Sequence, residues 1–411
     1  MIAFDEFTLE NGLRVIIHQD HTTPIAAFNL LYGVGARDEE EEKTGFAHLF
    51  EHLMFGGSAH IPSYDTPLQE VGGENNAFTS NDITNYYVTL PVANLETAFW
   101  LESDRMWSLS FDPKVLEVQR KVVIEEFKQR YLNQPYGDAW LHLRPLAYTQ
   151  HPYRWNTIGK DISHIEEATM EDVKHFFYRY YRPNNAILVV AGAVTVEEVK
   201  QLAEKWFGDI PRGKKFGRKY PKEPKQTTAR VKEVSADVPL DALYKVYHMA
   251  ARTDKTYHTH DLLSDLLGRG KSSRLFHRLV KENNMFNDIG AYVTGTVDKG
   301  LLVIQGKLNP SVKLPEANQV IEAITEQIRT EAVSEEELVK VTNKAISTVT
   351  FGETELLNRA MSLAYFSFLG ETEAVNKEVE KLEQITPAHI QKEASKILDK
   401  ENCSTLYYKA I

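Results

Sequence analysis

The chain has 411 residues, 42% of them hydrophobic and 26% charged, with a formal net charge of −11. That length exceeds one typical compact core and predicts two domains, and the acidic balance argues against a nucleic-acid backbone as partner, which needs a basic surface. A single cysteine, Cys403, rules out an internal disulfide; no apolar run is long enough to span a membrane, and residues 1–15 have no basic or apolar leader character, so the expected location is cytoplasmic.

The first half opens with two β-rich runs separated by turn signals, which read as paired strands. A helix is predicted over residues 45–55, "GFAHLFEHLMF". "PSYDTPLQEVGG" reads as a short helix stopped by Gly72 and Gly73. "NNAFTSNDITNYYVTLP" is strand-like, with a polar turn inside it. Helical segments follow at "VANLETAFWLESDRMWSL" and at "DPKVLEVQRKVVIEEFKQRY". In the latter, Asp112 is the expected N-cap and Pro113 the first helical residue. "MEDVKHFFYRYYRPNN" is a helix ended by Pro183, "AILVVAGAV" a buried strand, and "TVEEVKQLAEKWFGDIP" a closing helix. Residues 211–228 are rich in Pro, Gly and Lys without periodicity and are read as a linker.

The second half repeats the first. "LDALYKVYHMAARTDKTYHTHDLLSDLLGRGKSS" echoes "IAAFNLLYGVGARDEEEEKTGFAHLFEHLMFGGS" as strand, Ala-Arg turn, helix and glycine-containing end. The expected fold is α+β: two homologous domains, each a mostly antiparallel sheet packed with helices, over residues 1–210 and 229–411. Aligning Gly56 with Gly268 places His260, Leu263 and Ser264 opposite His48, Glu51 and His52. Any metal site therefore belongs to the first domain alone.

On a helix, positions i and i+4 share a face. His48 and His52 can direct two imidazole nitrogens at one zinc ion, and Glu51 projects near the same face, where it can take a proton from a water. This is the inverted order of the commoner H-E-x-x-H pattern. The helix is otherwise apolar and should be buried, so its three ionisable groups need partners, and one metal ion satisfies them together. A catalytic zinc needs a third protein ligand. Glu125 and Glu126 both follow the apolar pair Val122 and Val123, and helical periodicity alone does not choose between them.

With "GFAHLFEHLMFGGS", "VGGENNAFTSNDITNYY", "VQRKVVIEEF" and "LLGRGKSSRLFHRL" in place, the chain resembles the pitrilysin/insulinase family of zinc metallopeptidases, in its short two-domain, processing-peptidase-like branch. The resemblance covers essentially the whole chain. It implies Glu126 as the third zinc ligand, Glu51 as catalytic base and one Zn²⁺ per chain. Gln119 stands behind the ligands, where relatives often have a glutamate. Asn76, Ala77 and Thr79 fall on the family's edge strand, which pairs with the substrate backbone, as an unpaired strand edge can. The implied reaction is hydrolysis of peptide bonds in short or unstructured peptides.

One departure bears on function. The family's second domain supplies an arginine and a tyrosine that bind the substrate carbonyl. Here Val280 and Asn287 stand at those positions, with Arg278 and Tyr292 out of register. Loss of such donors costs orders of magnitude in rate. The resemblance therefore implies a zinc-bearing subunit whose homologous partner supplies the pair, as a heterodimer, or alternatively a homodimer. Two further readings are a non-catalytic structural subunit and a zinc-stabilised peptide-binding module. The latter needs a fourth protein ligand, for which His60 is the nearest candidate.

Overall fold

The computed structural model describes residues 1–214 and 217–411; residues 215 and 216, inside the expected linker, lie outside the described residues. The chain forms two compact units. The first contains a six-stranded sheet built from β1 (Asp5–Thr8), β2 (Arg14–Gln19), β3 (Ile25–Tyr32), β4 (Glu74–Thr79), β5 (Thr84–Pro91) and β6 (Ala186–Gly192). Their order is β1-β2-β6-β3-β5-β4, with β2 and β6 parallel and every other pair antiparallel. The second contains β7 (Arg230–Ala236), β8 (Ala242–His248), β9 (Phe286–Val293), β10 (Leu301–Leu308) and β11 (Cys403–Ala410), ordered β7-β11-β8-β10-β9. Its single parallel pair is β7 with β11.

Strand for strand, the second order matches the first without β1, down to the position of the parallel pair. This is the internal repeat read from the sequence. Its cause is visible in β6, "AILVVAG", which is buried at every position and so can only be an interior strand.

The units are discontinuous in sequence, unlike the contiguous division at 211–228. Unit one comprises Met1–Lys128, Trp155–Tyr220 and Thr350–Lys377; unit two comprises Gln129–Arg154, Pro221–Val349 and Glu378–Ile411. Each half of the chain lends a helix to the other half's sheet. The helix Leu356–Leu369 buries Ala360, Leu363 and Ala364 against Ile16, Ala27, Leu31, Ile187 and Val189 of the first sheet. The helix Ala139–Ala147 buries Ala139, Leu143 and Ala147 against Tyr244, Val246, Val303 and Leu406 of the second. Both present alanines on one face, one turn apart in the first and two turns apart in the second, which let a helix lie close on a sheet, and both cover an apolar sheet face that would otherwise meet water.

After its undescribed pair the expected linker is anchored to each unit in turn. In unit one, Tyr220 Oη donates to Asp38 Oδ1 at 2.6 Å and Arg218 Nε pairs with Asp38 at 2.9 Å. In unit two, the Glu223 carboxylate accepts the backbone N–H groups of Thr149, Gln150 and His151 at 2.8–3.0 Å.

Helices α1 (Phe46–Leu53), α2 (Asp65–Glu70), α3 (Leu95–Trp107) and α4 (Pro113–Phe127) carry the functional residues of unit one or their supports. As expected, Asp112 caps α4, accepting the N–H of Lys114 at 2.8 Å, with Pro113 at the first helical position. Behind α1, Arg105 of α3 is fully buried. It pairs with Glu102 through two bonds, at 2.7 and 2.5 Å, and lies over the rings of Tyr64, Tyr86 and Phe55 at 4.5, 4.5 and 5.1 Å. Burial alone would weaken the guanidinium's hold on its proton, but the Glu102 charge and hydrogen bonds, together with Tyr64 and Tyr86, outweigh it and the net shift is upward. Arg105→Met removes the cation and leaves a buried carboxylate unpaired. The expected loss is about 3–5 kcal/mol of unfolding free energy, read from urea denaturation.

Candidate metal centre

Helix α1 begins at Gly45, whose φ of +90° is the left-handed conformation. A Cβ there would come within 2.7 Å of the Ile158 carbonyl oxygen, so only glycine fits. From that start, Phe46, Ala47, Leu49, Phe50 and Leu53 turn inward. Phe50 stacks on Phe176 and Tyr181, with ring centroids 4.8 and 5.2 Å apart. This anchoring leaves His48, Glu51 and His52 on the half-exposed face.

His48 and His52 stand one turn apart with ring centroids 4.9 Å from each other. The carboxylate of Glu126, on α4, closes the group: its Oε2 lies 3.6 Å from His48 Nε2 and 3.4 Å from His52 Nε2. Among the described residues this is the one group of ligand-type atoms that all lie within 4.8 Å of one another. Two imidazole nitrogens and one carboxylate oxygen form the donor set of an open, catalytic zinc site. The three residues therefore fit a zinc ion with a coordination position left over.

The choice between Glu125 and Glu126, open in helical periodicity, is decided by the rotation of α4. Leu116, Val123 and Phe127 are its buried residues, and this places Glu126 toward α1. Glu125 faces solvent and accepts a bond from Lys128 at 2.7 Å. Gln119 is half-buried on the same helix, two turns before Glu126, and is not among the converging groups. His60 is likewise outside the group; its Nδ1 bonds Asp104 Oδ1 at 2.6 Å, so it is no fourth ligand here.

Glu51 is held by β4. The Thr79 hydroxyl donates to Glu51 Oε2 at 2.6 Å. Burial raises the Glu51 pKa above its ordinary value, and the Thr79 hydrogen bond opposes the rise. The hydroxyl of Thr79, one of the expected substrate contacts, is thus engaged with Glu51.

Among the described residues, β4 pairs only with β5, so its outer edge is open. On it, Asn76 is exposed and its Oδ1 accepts the N–H of Ala77 at 2.8 Å. In the second unit the counterpart helix Tyr257–Gly268 shows what the metal motif is not. His260 is buried, accepts the Ala250 N–H through Nδ1 at 3.2 Å and meets Glu393 at 3.2 Å through Nε2. Leu263 and Ser264 are buried beside it. Val280 packs against the core of that unit, and Asn287 is exposed on β9.

Three residues at this centre escaped the sequence reading. Arg105 and its partner Glu102 carried a signal, being opposite charges three apart in a largely apolar segment. Glu39, which bonds the first turn of α1, carried none, because it sits in the acidic run "DEEEE" that reads as a solvated loop.

Two copies of one α+β fold, one bearing a convergent His-His-Glu group and the other not, define a two-domain M16-like peptidase. The family model described as insulinase, peptidase family M16, matches residues 14–148, and that of the peptidase M16 inactive domain matches residues 167–344. The chain belongs to this family. The zinc protease PqqE of Helicobacter pylori is 33% identical over 349 residues, which span 83% of this chain and 78% of the relative. YmxG of Bacillus subtilis, named an uncharacterized zinc protease, is 26% identical over 81% of this chain and 80% of its own length. The crystal structure of a protease from Helicobacter pylori superposes with a TM-score of 0.95 at 28% identity, with both chains covered in full. Among the described residues no helix is long and apolar enough to cross a membrane.

If the three converging residues are the ligands, the purified chain holds about one zinc per molecule. His48→Ala, His52→Ala and Glu126→Gln each reduce that to near zero by elemental analysis. Glu51→Gln leaves it unchanged, because Glu51 lies outside the converging set.

Proposed function

We propose that this chain is a zinc-dependent endopeptidase that hydrolyses peptide bonds in short or unstructured peptides. The observation that carries this reading is the convergence of His48, His52 and Glu126, with the carboxylate of Glu51 held beside them by Thr79. A purely structural zinc would use a fourth protein ligand, and the described residues place none in the group.

A zinc ion held there supplies a Lewis acid that polarises the scissile carbonyl and acidifies water. The rest is the work of side chains and strand edge. A peptide adds along the open edge of β4, its backbone pairing with the outward N–H and C=O groups near Asn76 and Ala77. The Ala77 N–H now bonded by Asn76 Oδ1 becomes available as that side chain turns away. Glu51 accepts a proton from the attacking water and delivers it to the leaving amine nitrogen. The Thr79 hydrogen bond fixes the carboxylate's orientation through both transfers. Pairing through backbone favours extended chains over folded proteins and reads sequence weakly.

The active unit is a pair of chains. Val280 has no donor and is partly buried, and the exposed Asn287 has a short neutral side chain. No group of the second unit at these positions can offer the substrate carbonyl a cation or a phenol. A homologous second subunit supplies that pair in a heterodimer in which this chain bears the zinc. The same two residues favour the competing reading of a non-catalytic or peptide-binding subunit; the intact base and three-ligand group weigh against it.

The test is incubation of the zinc-loaded chain with a mixture of unstructured peptides, followed by mass spectrometry, with Glu51→Gln as control. The expected outcome is weak cutting by the chain alone, rising on addition of the homologous partner and absent in the control. Efficient Glu51-dependent cutting by the chain alone removes the need for a partner; none under any condition, with zinc bound, leaves the binding-subunit reading. Thr79→Val is expected to lower kcat by about 10- to 100-fold with zinc content intact, the scale typical of losing an oriented acid–base partner.

A further inference from the structure

Helix α1 carries both histidines and the base, yet its N-terminus lacks the usual support. The N-cap is Gly45, which has no side chain to accept the orphan N–H groups of the first turn. No other residue can take its place, since a Cβ there would meet the Ile158 carbonyl oxygen at 2.7 Å and the backbone is left-handed. The acceptor comes instead from six residues upstream. Glu39 is buried, 8% exposed, and divides its two oxygens between the helix's first donors: Oε2 accepts the N–H of Gly45 at 2.9 Å and Oε1 that of Ala47 at 2.8 Å. Ala47 directly precedes His48.

Burying a carboxylate is costly and is offset here by those charge-assisted bonds and by the positive end of the helix. Burial pushes the Glu39 carboxyl up in pKa, and the two N–H donors pull against it. The loop that presents Glu39 is itself fixed. The neighbouring Asp38 accepts the Gly35 N–H at 3.0 Å, and the Trp155 indole donates to the Ala36 carbonyl at 2.9 Å. On the other flank the Thr44 N–H donates to His164 Nδ1 at 3.1 Å. A two-point grip of this kind sets both the axial position and the rotation of the first turn. The site needs both, because His48 and His52 must meet a carboxylate carried by a different helix within a few tenths of an ångström.

We propose that Glu39 is a positioning residue of the metal centre: by clamping the Gly45 and Ala47 amides it holds His48 and His52 in register with Glu126. The inference rests on the peptidase reading only in taking His48, His52 and Glu126 as the metal ligands.

The test is zinc affinity of the full chain, measured by competition with a chromophoric chelator, alongside circular dichroism and thermal unfolding of the zinc-free protein. Glu39→Gln is isosteric and keeps one acceptor oxygen; Glu39→Ala keeps neither. Glu223→Gln is the comparison, since Glu223 also accepts backbone N–H groups but within the second unit. Zinc affinity is expected to fall about 10-fold in Glu39→Gln and up to about 100-fold in Glu39→Ala, the scale of lost supporting bonds behind metal ligands. Glu223→Gln lowers the melting temperature and leaves zinc affinity as it was. A folded Glu39→Gln with wild-type zinc affinity and a lowered melting temperature would make Glu39 an ordinary helix cap and overturn the proposal. Wild-type chain that binds no zinc would refute the peptidase reading itself, and the role of Glu39 with it; zinc affinity that tracks Glu39 without any peptide cutting would sustain the clamp and sink only the peptidase.

Discussion

Everything at the candidate centre depends on one constraint: two imidazoles a helical turn apart must meet a carboxylate that belongs to another helix. Within α1 the spacing is automatic, because residues four apart share a face. Between α1 and α4 nothing is automatic. The 3.4 and 3.6 Å approaches of Glu126 to the two histidines depend on how each helix is packed and capped, α4 by Asp112 and its buried face, α1 by several groups. Glu39 grips the start of α1, the Arg105–Glu102 pair and its aromatic rings lie behind its far end, and Phe50 stacks on Phe176 and Tyr181.

These supports are expensive in isolation. Glu39, Glu102 and Arg105 are all buried ionisable groups, and each would destabilise the fold without its partner. Their presence in one small region is the pattern expected where geometry matters more than stability, since buried polar networks admit fewer alternative arrangements than an apolar core. The second unit makes the contrast. It repeats the sheet order, but the corresponding helix carries Leu263 and Ser264 where Glu51 and His52 stand, and His260 is absorbed into hydrogen bonds with Ala250 and Glu393. Burial lowers the pKa of that histidine, as it does for a neutral core imidazole. One fold thus serves two purposes according to which residues its helix presents.

In the proposed function, the open edge of β4 and the position of Thr79 would join substrate placement to base placement. Thr79 lies at the end of that open-edged strand and also holds Glu51. A peptide seated along the edge would lie beside that carboxylate. The exchange of helices between the two sheets gives each its second apolar cover: Leu356–Leu369 closes one, Ala139–Ala147 the other. Neither sheet could keep its apolar face dry with contiguous sequence alone.

Much of this was legible in the residues themselves. The repeat, the α+β class, the Asp112 cap and the H-x-x-E-H helix all rest on local pattern, where periodicity and residue chemistry act over a few positions. The rest depends on distance in space rather than along the chain. Periodicity could not separate Glu125 from Glu126, because both sit on one turn of α4 and only the packing of Leu116, Val123 and Phe127 sets its rotation. A contiguous division at 211–228 could not foresee helices lent across it, because nothing in their apolar stripes says which sheet they cover. Glu39 was hidden in an acidic run, and Thr79 looked like any edge-strand residue. Local pattern determined which groups could do chemistry; tertiary packing alone decided which of them meet, because a hydrogen bond or a shared metal site is a matter of a few ångströms that no spacing along the chain encodes.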